Sequence, residues 1–407
     1  MLRTLSIAFI LVLATNSLLA TTPSFEGTWD STFGTLQLFV DGERVQGTYI
    51  VSGELASIEG KLKGRYLDFT YKEKEVSGEG KFELLPHGRS FAGRWRAKGQ
   101  AKWSKWKGTR VAVTKAKSPK WSGVWKSTFG RMRLQQIDEK VRGIYSLEGA
   151  SFIDGKLQGS RLTFNYREGG VEGEGWFRLS ADGKALHGRW RPKGSSKWNS
   201  WNAVRQEAQA NVKWLVVVEA PWQGGLAERE YSFGSMLKAF FAGSESVRVR
   251  HRFFTDAKSL QRWCREAAYL AEPVILCIAT HGTTEGLEVN GQVIGPRSVA
   301  LSLDYDDDLL LLHFSACKIM KSDFIKKMRA LLDNGLSFPV SGYTTAVDWA
   351  GSAIVEFLYF ELILERGLSP AQAFTQVQKM LTFAGEKGVA GAKIEPLGFT
   401  FEQADQN

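Results

Sequence analysis

The sequence contains little cysteine and little proline. Three cysteines in 407 residues exclude a fold held together by disulfide bonds. Ten prolines beside 42 glycines and 14 tryptophans favour short strands and tight turns over long loops. After the N-terminal segment there is no uninterrupted apolar run of the about 18 residues that a membrane helix needs. The composition, 43% apolar and 24% charged, is that of a globular protein with a sizeable core.

The first 20 residues have the pattern of a secretory signal peptide. Arg3 precedes an apolar stretch over residues 5–14, and mostly small residues follow up to Ala20. Because this stretch is short for a membrane span, cleavage is favoured over the alternative of an uncleaved anchor. The sequence therefore predicts a signal peptide at residues 1–20 and a secreted or periplasmic mature chain that is not a transmembrane protein.

Residues 21–112 and 118–206 form a tandem repeat. The segment FEGTWDSTFG at Phe25 recurs as WSGVWKSTFG at Trp121, and GKL, GEG, GRW and W-x-x-W patterns follow in the same order in both copies. Apolar and polar residues alternate with the period of a β-strand, and Asp-Gly pairs mark turns. Each repeat is predicted to be an antiparallel meander or barrel of about six to eight strands. The G-T-W patterns resemble those of lipocalin- and avidin-like up-and-down barrels.

The positive charge is concentrated in the repeat half. Residues 21–212 carry 33 basic and 20 acidic side chains, whereas residues 213–407 carry 19 and 23. A basic secreted β module favours an anionic partner, such as an acidic polysaccharide, lipopolysaccharide or phospholipid surface, and no nucleic acid is expected. Charge that serves only solubility is the alternative. We interpret the many tryptophans as barrel core, with Trp103 and Trp106 as candidates for a surface that stacks flat ligands.

Residues 213–407 have a different pattern, in which apolar strands alternate with helices. Strands are predicted at residues 214–219, 246–254, 273–280, 309–315 and 338–341. Helices are predicted at residues 227–241, 258–270, 322–332, 349–365 and 370–383. This alternation predicts an α/β domain with a mostly parallel sheet, in which ligands bind at the carboxyl ends of the strands.

Two of these strands end in residues capable of nucleophilic catalysis. VILCIAT is followed by His281 and Gly282, and LLLLHFS is followed by Ala316 and Cys317. A thiol becomes a good nucleophile beside a base, and an imidazole supplies one. The N–H groups of Gly282 and Cys317 are candidates for an oxyanion hole.

The other histidines and cysteines of this half lie elsewhere in the predicted elements. His251, His313 and Cys277 fall within strands, and Cys264 falls on a helix. In an oxidising compartment, Cys264 and Cys277 either form a bridge or remain as two inert thiols. Both alternatives leave Cys317 free.

An apolar block ending in His-Gly, followed by one ending in Ser315-Ala316-Cys317, resembles the caspase-like cysteine peptidases of clan CD. The Ser-Ala-Cys form is most similar to CHAT domains, as are the hairpin-like GLEVNGQVIG and the strand and helices after the cysteine. The chain departs from the usual W-x-V at Ser341-Gly342-Tyr343. The resemblance implies a cysteine endopeptidase in which Cys317 attacks a peptide carbonyl and His281 is the general acid and base, with no metal or cofactor.

The substrate implied by this resemblance is a peptide or protein, but its specificity does not follow from the sequence. Tyr343, Asp348 and Trp349 are candidates for the substrate pocket. An acidic cluster, Asp304 with Asp306, Asp307 and Asp308, is favoured to be a solvated loop, and the alternative is that it attracts a basic side chain or a cation. Two alternatives concern the whole chain: an inactive caspase-like scaffold that binds an anionic glycan or surface through its repeats, and repeats that inhibit the catalytic half.

Overall fold

The structure, a computed structural model, describes most of the chain outside the N-terminal segment. The described residues are 24–112, 120–145, 151–223, 225, 227–228, 230–303, 305, 309–332, 338–386 and 397–403. The predicted signal peptide, Asp304 and the residues from Asp306 to Asp308 lie outside them. The chain divides into two units, residues 1–112 and 113–407, and the second unit holds both the second repeat and the α/β part.

The first repeat closes on itself as an eight-stranded antiparallel barrel, in which the first strand pairs with the last. Its strands are β1 (Gly27–Ser31), β2 (Gly34–Asp41), β3 (Arg44–Val51), β4 (Glu54–Lys63), β5 (Tyr66–Lys72), β6 (Ser77–Leu84), β7 (Ser90–Ala97) and β8 (Ser104–Arg110). Every second side chain points inward, as the strand period requires. The sequence-based prediction of a tandem β-barrel repeat is confirmed here and in the second repeat.

The second repeat forms a separate barrel of the same design. Its strands are β9 (Gly123–Ser127), β10 (Gly130–Ile137), β11 (Lys140–Tyr145), β12 (Ser151–Gln158), β13 (Arg161–Glu168), β14 (Val171–Leu179), β15 (Ala185–Pro192) and β16 (Asn199–Arg205). The repeated GEG motif leaves room for an inward aromatic ring. A Cβ added to Gly80 would lie 2.1 Å from the Phe69 ring, and one added to Gly175 would lie 2.4 Å from the Phe164 ring.

The tryptophans divide between the inside and the outside of the barrels. Trp29 and Trp106 are buried in the first barrel, as their counterparts are in the second. Trp103 instead lies under the guanidinium groups of Arg94 and Arg96, at 4.8 and 4.6 Å from its ring centroid. The prediction that Trp103 and Trp106 share one stacking surface is therefore wrong, because Trp106 is only 1% exposed.

The α/β part is built around a six-stranded mixed sheet in the order β18-β17-β19-β23-β24-β25, and a small three-stranded sheet lies beside it. Its strands are β17 (Lys213–Glu219), β18 (Val247–Phe253), β19 (Val274–Ala279), β20 (His281–Gly282), β21 (Leu287–Val289), β22 (Gln292–Ile294), β23 (Leu309–Ser315), β24 (Val340–Tyr343) and β25 (Phe399–Glu402). The first five strands in the six-strand order run parallel, and only β25 is antiparallel to its neighbour.

Helices cover both faces of this sheet. They are α1 (Phe233–Phe240), α2 (Ala257–Ala268), α3 (Pro296–Leu303), α4 (Phe324–Leu331), α5 (Trp349–Leu364) and α6 (Pro370–Glu386). One apolar core lies on each face of the sheet. Helix α3 and strand β25 were not predicted from the sequence, and α1 begins six residues later than predicted, after its cap at Ser232. Among the described residues, no helix is both long and apolar enough to cross a bilayer.

The second barrel packs against the C-terminal end of α2. Arg133, itself buried, donates a hydrogen bond from Nη1 to the Ala268 carbonyl at 3.1 Å. Arg131 pairs with Glu266 and lies 5.0 Å from the Tyr269 ring centroid. Apolar and aromatic contacts complete this interface, at Ile144, Phe152, Tyr269 and Tyr305. Because the end of α2 precedes the start of β19, the second barrel contacts the α/β part near the amino edge of the sheet.

Candidate active site

The strand pairing of β19 and β23 brings His281 and Cys317 to the same edge of the sheet. Ala279 and Ser315 are register partners in adjacent parallel strands, and each candidate residue lies two positions further on. The Thr280 amide donates to the Ser315 carbonyl at 3.1 Å and extends the pairing toward the site. His281 and Cys317 line one cavity of about 210 Å³. This edge of the sheet is where the sequence predicts the catalytic pair.

Gly282 allows the two strand ends to approach closely. A Cβ at this position would lie 2.4 Å from the Cys317 carbonyl oxygen and 3.0 Å from the Cys317 amide nitrogen, so any other side chain would force the backbones apart. His281 and Gly282 form β20, which pairs with β21 in a hairpin sheet. The amides of Gly282 and Cys317 are the predicted oxyanion donors. They therefore lie on two backbone segments that contact each other directly.

A sharp turn presents the Cys317 thiol. Lys318 has a positive φ of 59°, and its amide donates to the Thr345 carbonyl at 3.0 Å. Cys317 is partly exposed, and the Val347 amide donates a hydrogen bond to its sulfur at 3.4 Å. A donor aimed at sulfur stabilises negative charge there, as a thiolate nucleophile requires.

Trp222 contacts His281 from the loop that follows β17. The two rings meet edge to face, with centroids 5.1 Å apart. Nε2 of His281 lies 3.5 Å from the Trp222 carbonyl oxygen. Trp222 therefore lies against the His281 imidazole with both its indole ring and its backbone carbonyl. Trp222 was not among the sequence-based candidates, because it is distant from His281 along the chain and meets it only in the fold.

A buried carboxylate, Glu219, holds this loop in position. It ends β17, is 0% exposed, and accepts a hydrogen bond from Trp222 Nε1 at 2.5 Å. Ser232 Oγ and the amides of Phe233 and Gly234 also donate to it, at distances up to 3.0 Å, and His251 Nε2 lies 2.7 Å from its Oε2. Burial alone raises the pKa of Glu219, but these hydrogen bonds outweigh it and hold the pKa below the ordinary value. The carboxylate thus joins β17, β18, the start of α1 and the loop that contacts His281.

Glu219→Gln is expected to destabilise the α/β part by about 3 kcal/mol at pH 7, because an amide cannot accept from all these donors. The folded-state pKa lies below the unfolded value of 4.5, so the carboxylate stabilises the fold above that pH. That stability is lost as the pH falls through the folded pKa. Hydrogen exchange of the β17 and α1 amides at several pH values measures both effects. Glu245→Gln, at an exposed carboxylate, is the control; equal exchange in the two variants would contradict the role given to Glu219.

A cluster of buried polar side chains lies beneath the site, on the face of the sheet covered by α5. Cys277, His313 and Glu356 have potential metal-ligand atoms within 4.8 Å of one another, and all three are buried. Glu356 Oε1 lies 3.2 Å from His313 Nε2 and accepts from the Tyr343 hydroxyl at 2.9 Å. His313 Nδ1 also lies 2.8 Å from Ser341 Oγ.

These contacts connect the elements that carry the site. Cys277 and His313 are register partners in β19 and β23, each four residues before a member of the candidate pair. Glu356 belongs to α5 and Tyr343 to β24. Tyr343 donates to Glu356, and His313 bonds to Ser341 and lies beside Glu356, so we interpret these groups as a polar tie that fixes β23, β24 and α5 beneath the cavity.

The three residues predicted to line the substrate pocket have different environments. Trp349 lines the cavity. Asp348 caps α5, and its carboxylate accepts from the Gly351 amide at 2.8 Å. Tyr343 is 0% exposed and belongs to the buried tie, so its prediction as a pocket residue is wrong.

All three cysteines are free thiols. Cys264 packs in the core on one face of the sheet and Cys277 in the core on the other, so the bridge left open by the sequence does not form. Burial raises the pKa of the Cys277 thiol, which makes it a poor nucleophile. Cys317 is the exposed member of the three.

Comparison with known proteins adds no family assignment. No protein-family model matches the chain, and a search of curated proteins gives no significant match.

Proposed function

We propose that the protein is a cysteine endopeptidase of the caspase-like, CHAT-type class, with His281 and Cys317 as its dyad. The observation that carries the proposal is the cavity at the carboxyl edge of the sheet that both side chains line. Gly282, which touches the Cys317 backbone, and the Val347 amide, which donates to the Cys317 sulfur, support it further. Nucleophile, base and backbone donors together are the parts that acyl transfer needs.

In the proposed reaction, the Cys317 thiol gives its proton to His281 and the sulfur attacks the peptide carbonyl. The amides of Gly282 and Cys317 stabilise the oxyanion that forms. The C–N bond then breaks as the imidazolium protonates the leaving amine, which leaves a thioester on Cys317. Water gives a proton to His281 and attacks the thioester, so the acid is released and the thiol is restored.

The barrels are proposed to attach this peptidase to an anionic polysaccharide or similar surface outside the cytoplasm. Their inward positions are filled by apolar side chains, so ligands would bind to the outer walls. The outer wall of the second barrel has a concavity of about 810 Å³, lined by Trp176, Trp198, five basic side chains and the carboxylates of Asp154 and Glu174. Arg191 lies 4.5 Å from the Trp198 ring centroid and repeats the arrangement at Trp103. Stacked rings beside guanidinium groups suit an acidic sugar.

Labelling with a peptidyl acyloxymethyl ketone tests the peptidase proposal. We expect one adduct per chain on Cys317, formed at least about tenfold faster than with glutathione, because only an activated thiol reacts rapidly. Cys264→Ser is the matched control and should label as the unmodified chain does, since Cys264 is 1% exposed. Two results would count against a peptidase and favour a binding scaffold. One is an adduct on Cys264 or Cys277, and the other is a Cys317 that reacts no faster than glutathione. Intact mass followed by peptide mapping gives the result.

A further inference from the structure

We infer that the cavity beside Cys317 binds an uncharged, apolar side chain of the substrate, at the residue that precedes the bond to be cut. This inference rests on the proposed peptidase function and adds the substrate class. Its basis is the chemistry of the cavity walls, which are aromatic and carry no fixed charge among the described residues.

Three aromatic rings, with Tyr231 in contact with the other two, form much of the wall. The Trp222 and Tyr231 rings are stacked, with centroids 6.3 Å apart and an interplanar angle of 22°. Tyr231 meets Trp349 edge to face at 5.2 Å. Phe233 and Val347 add further apolar surface. A pocket with such walls gains free energy by removing apolar surface of a ligand from water.

Two hydroxyl groups in the lining bond to the protein itself. Thr280 Oγ1 donates to the Glu288 carbonyl at 2.7 Å, and Ser352 Oγ donates to the Trp349 carbonyl at 3.1 Å. These two groups hold the backbone of the site, so their protons are not offered to a side chain of the substrate.

Charge in the cavity also disfavours an ionised side chain. The described lining contains no Asp, Glu, Lys or Arg side chain, and its imidazole and thiol are those of the proposed dyad, His281 and Cys317. Two nearby carboxylates already accept hydrogen bonds from the protein: Asp348 from the Gly351 amide at the start of α5, and Glu219 from Trp222 Nε1 and the amides at the start of α1. A cation at the rings would also face the imidazolium during catalysis. An ionised side chain placed here loses hydration without gaining a partner.

The size of the cavity matches one side chain. Its volume of about 210 Å³ is below the range of about 300–1,000 Å³ that holds a drug-sized ligand. Norleucine and lysine have side chains of similar length and differ mainly in the terminal ammonium. Comparing norleucine with lysine therefore shows whether the pocket prefers an apolar or a charged side chain.

The inference is tested on the full chain with three fluorogenic peptides. They differ only in the residue that precedes the bond to be cut, which is norleucine, lysine or glutamate. We expect kcat/KM for norleucine to exceed that for each charged residue on the order of a hundredfold. Trp349→Glu should raise cleavage after lysine relative to norleucine at least about tenfold, because it adds a carboxylate to the wall. Trp349→Ala, which adds none, is the matched control and should lower cleavage after norleucine without that gain.

The outcomes separate the inference from the function on which it rests. Cleavage after lysine or glutamate that equals or exceeds cleavage after norleucine overturns the inference while the peptidase stands. Failure to cleave any peptide, together with an unreactive Cys317, overturns both. Preference for norleucine with the shift in Trp349→Glu supports both.

Discussion

Replacement of Cys317 by alanine is expected to abolish peptide hydrolysis, with a fall in kcat of at least about 10⁴-fold. Cys317 supplies the sulfur that forms the thioester, and no other thiol can replace it. Cys264 and Cys277 are buried on opposite faces of the sheet, and burial raises the pKa of Cys277. The expected result is baseline hydrolysis of the norleucyl peptide at full enzyme concentration.

The control for this variant is Cys264→Ala, which removes a thiol of the same half without touching the cavity. It should keep kcat within about twofold, with a modest loss of stability from the space left in the core. Thermal unfolding of Cys317→Ala should match the unmodified chain, since its thiol is partly exposed. Hydrolysis that persists in Cys317→Ala at more than a thousandth of the original rate would rule out the nucleophile.

His281→Gln is expected to lower kcat by about 10³-fold, because general acid–base catalysis contributes about 10²–10⁴ and the thiol loses its base. Glutamine keeps hydrogen-bonding capacity but cannot carry a proton. The variant should therefore also lose the pH dependence that the imidazole gives to kcat/KM. Rates measured from pH 5 to pH 9 check both expectations.

His87→Gln makes the same substitution at an exposed turn of the first barrel and is the matched control. It should leave the rate and the pH profile unchanged. Added imidazole should restore part of the activity of His281→Gln and none in Cys317→Ala. A pH profile unaltered in His281→Gln would show that another group is the base.

The barrels and the central strands could be predicted because their patterns are local. Alternation with period two and a repeated turn chemistry specify a barrel strand by strand, and apolar runs specify buried strands. The candidate pair followed from the rule that ligands bind at the carboxyl ends of parallel strands. That rule needed only His281 and Cys317 to end adjacent strands, which their registers bear out.

What the sequence did not predict depends on contacts distant along the chain. Glu219 looks like the last residue of an apolar strand, yet its donors come from β18, α1 and a loop that no local pattern connects to it. Trp222 and Tyr231 reach the cavity through that same loop. Tyr343 was misplaced for a similar reason, because its burial depends on Glu356 of α5.

The contact between the second barrel and α2 could have been predicted from a difference between the two repeats. Arg131 and Arg133 occupy the repeat positions of Thr35 and Gln37 in the first barrel. Two arginines at positions where the other copy has small or neutral polar residues indicate a contact specific to the second copy. In the structure, Arg133 is buried against the Ala268 carbonyl.

Trapping of the acyl-enzyme is the most direct test of the account. The full chain is mixed with a p-nitrophenyl ester of a norleucyl peptide, quenched in acid within the first turnover, and weighed intact. The account predicts a mass increase equal to the peptidyl group, located on Cys317, together with a burst of about one p-nitrophenol per chain. A burst with no mass on Cys317, or an adduct that remains in Cys317→Ala, would contradict it.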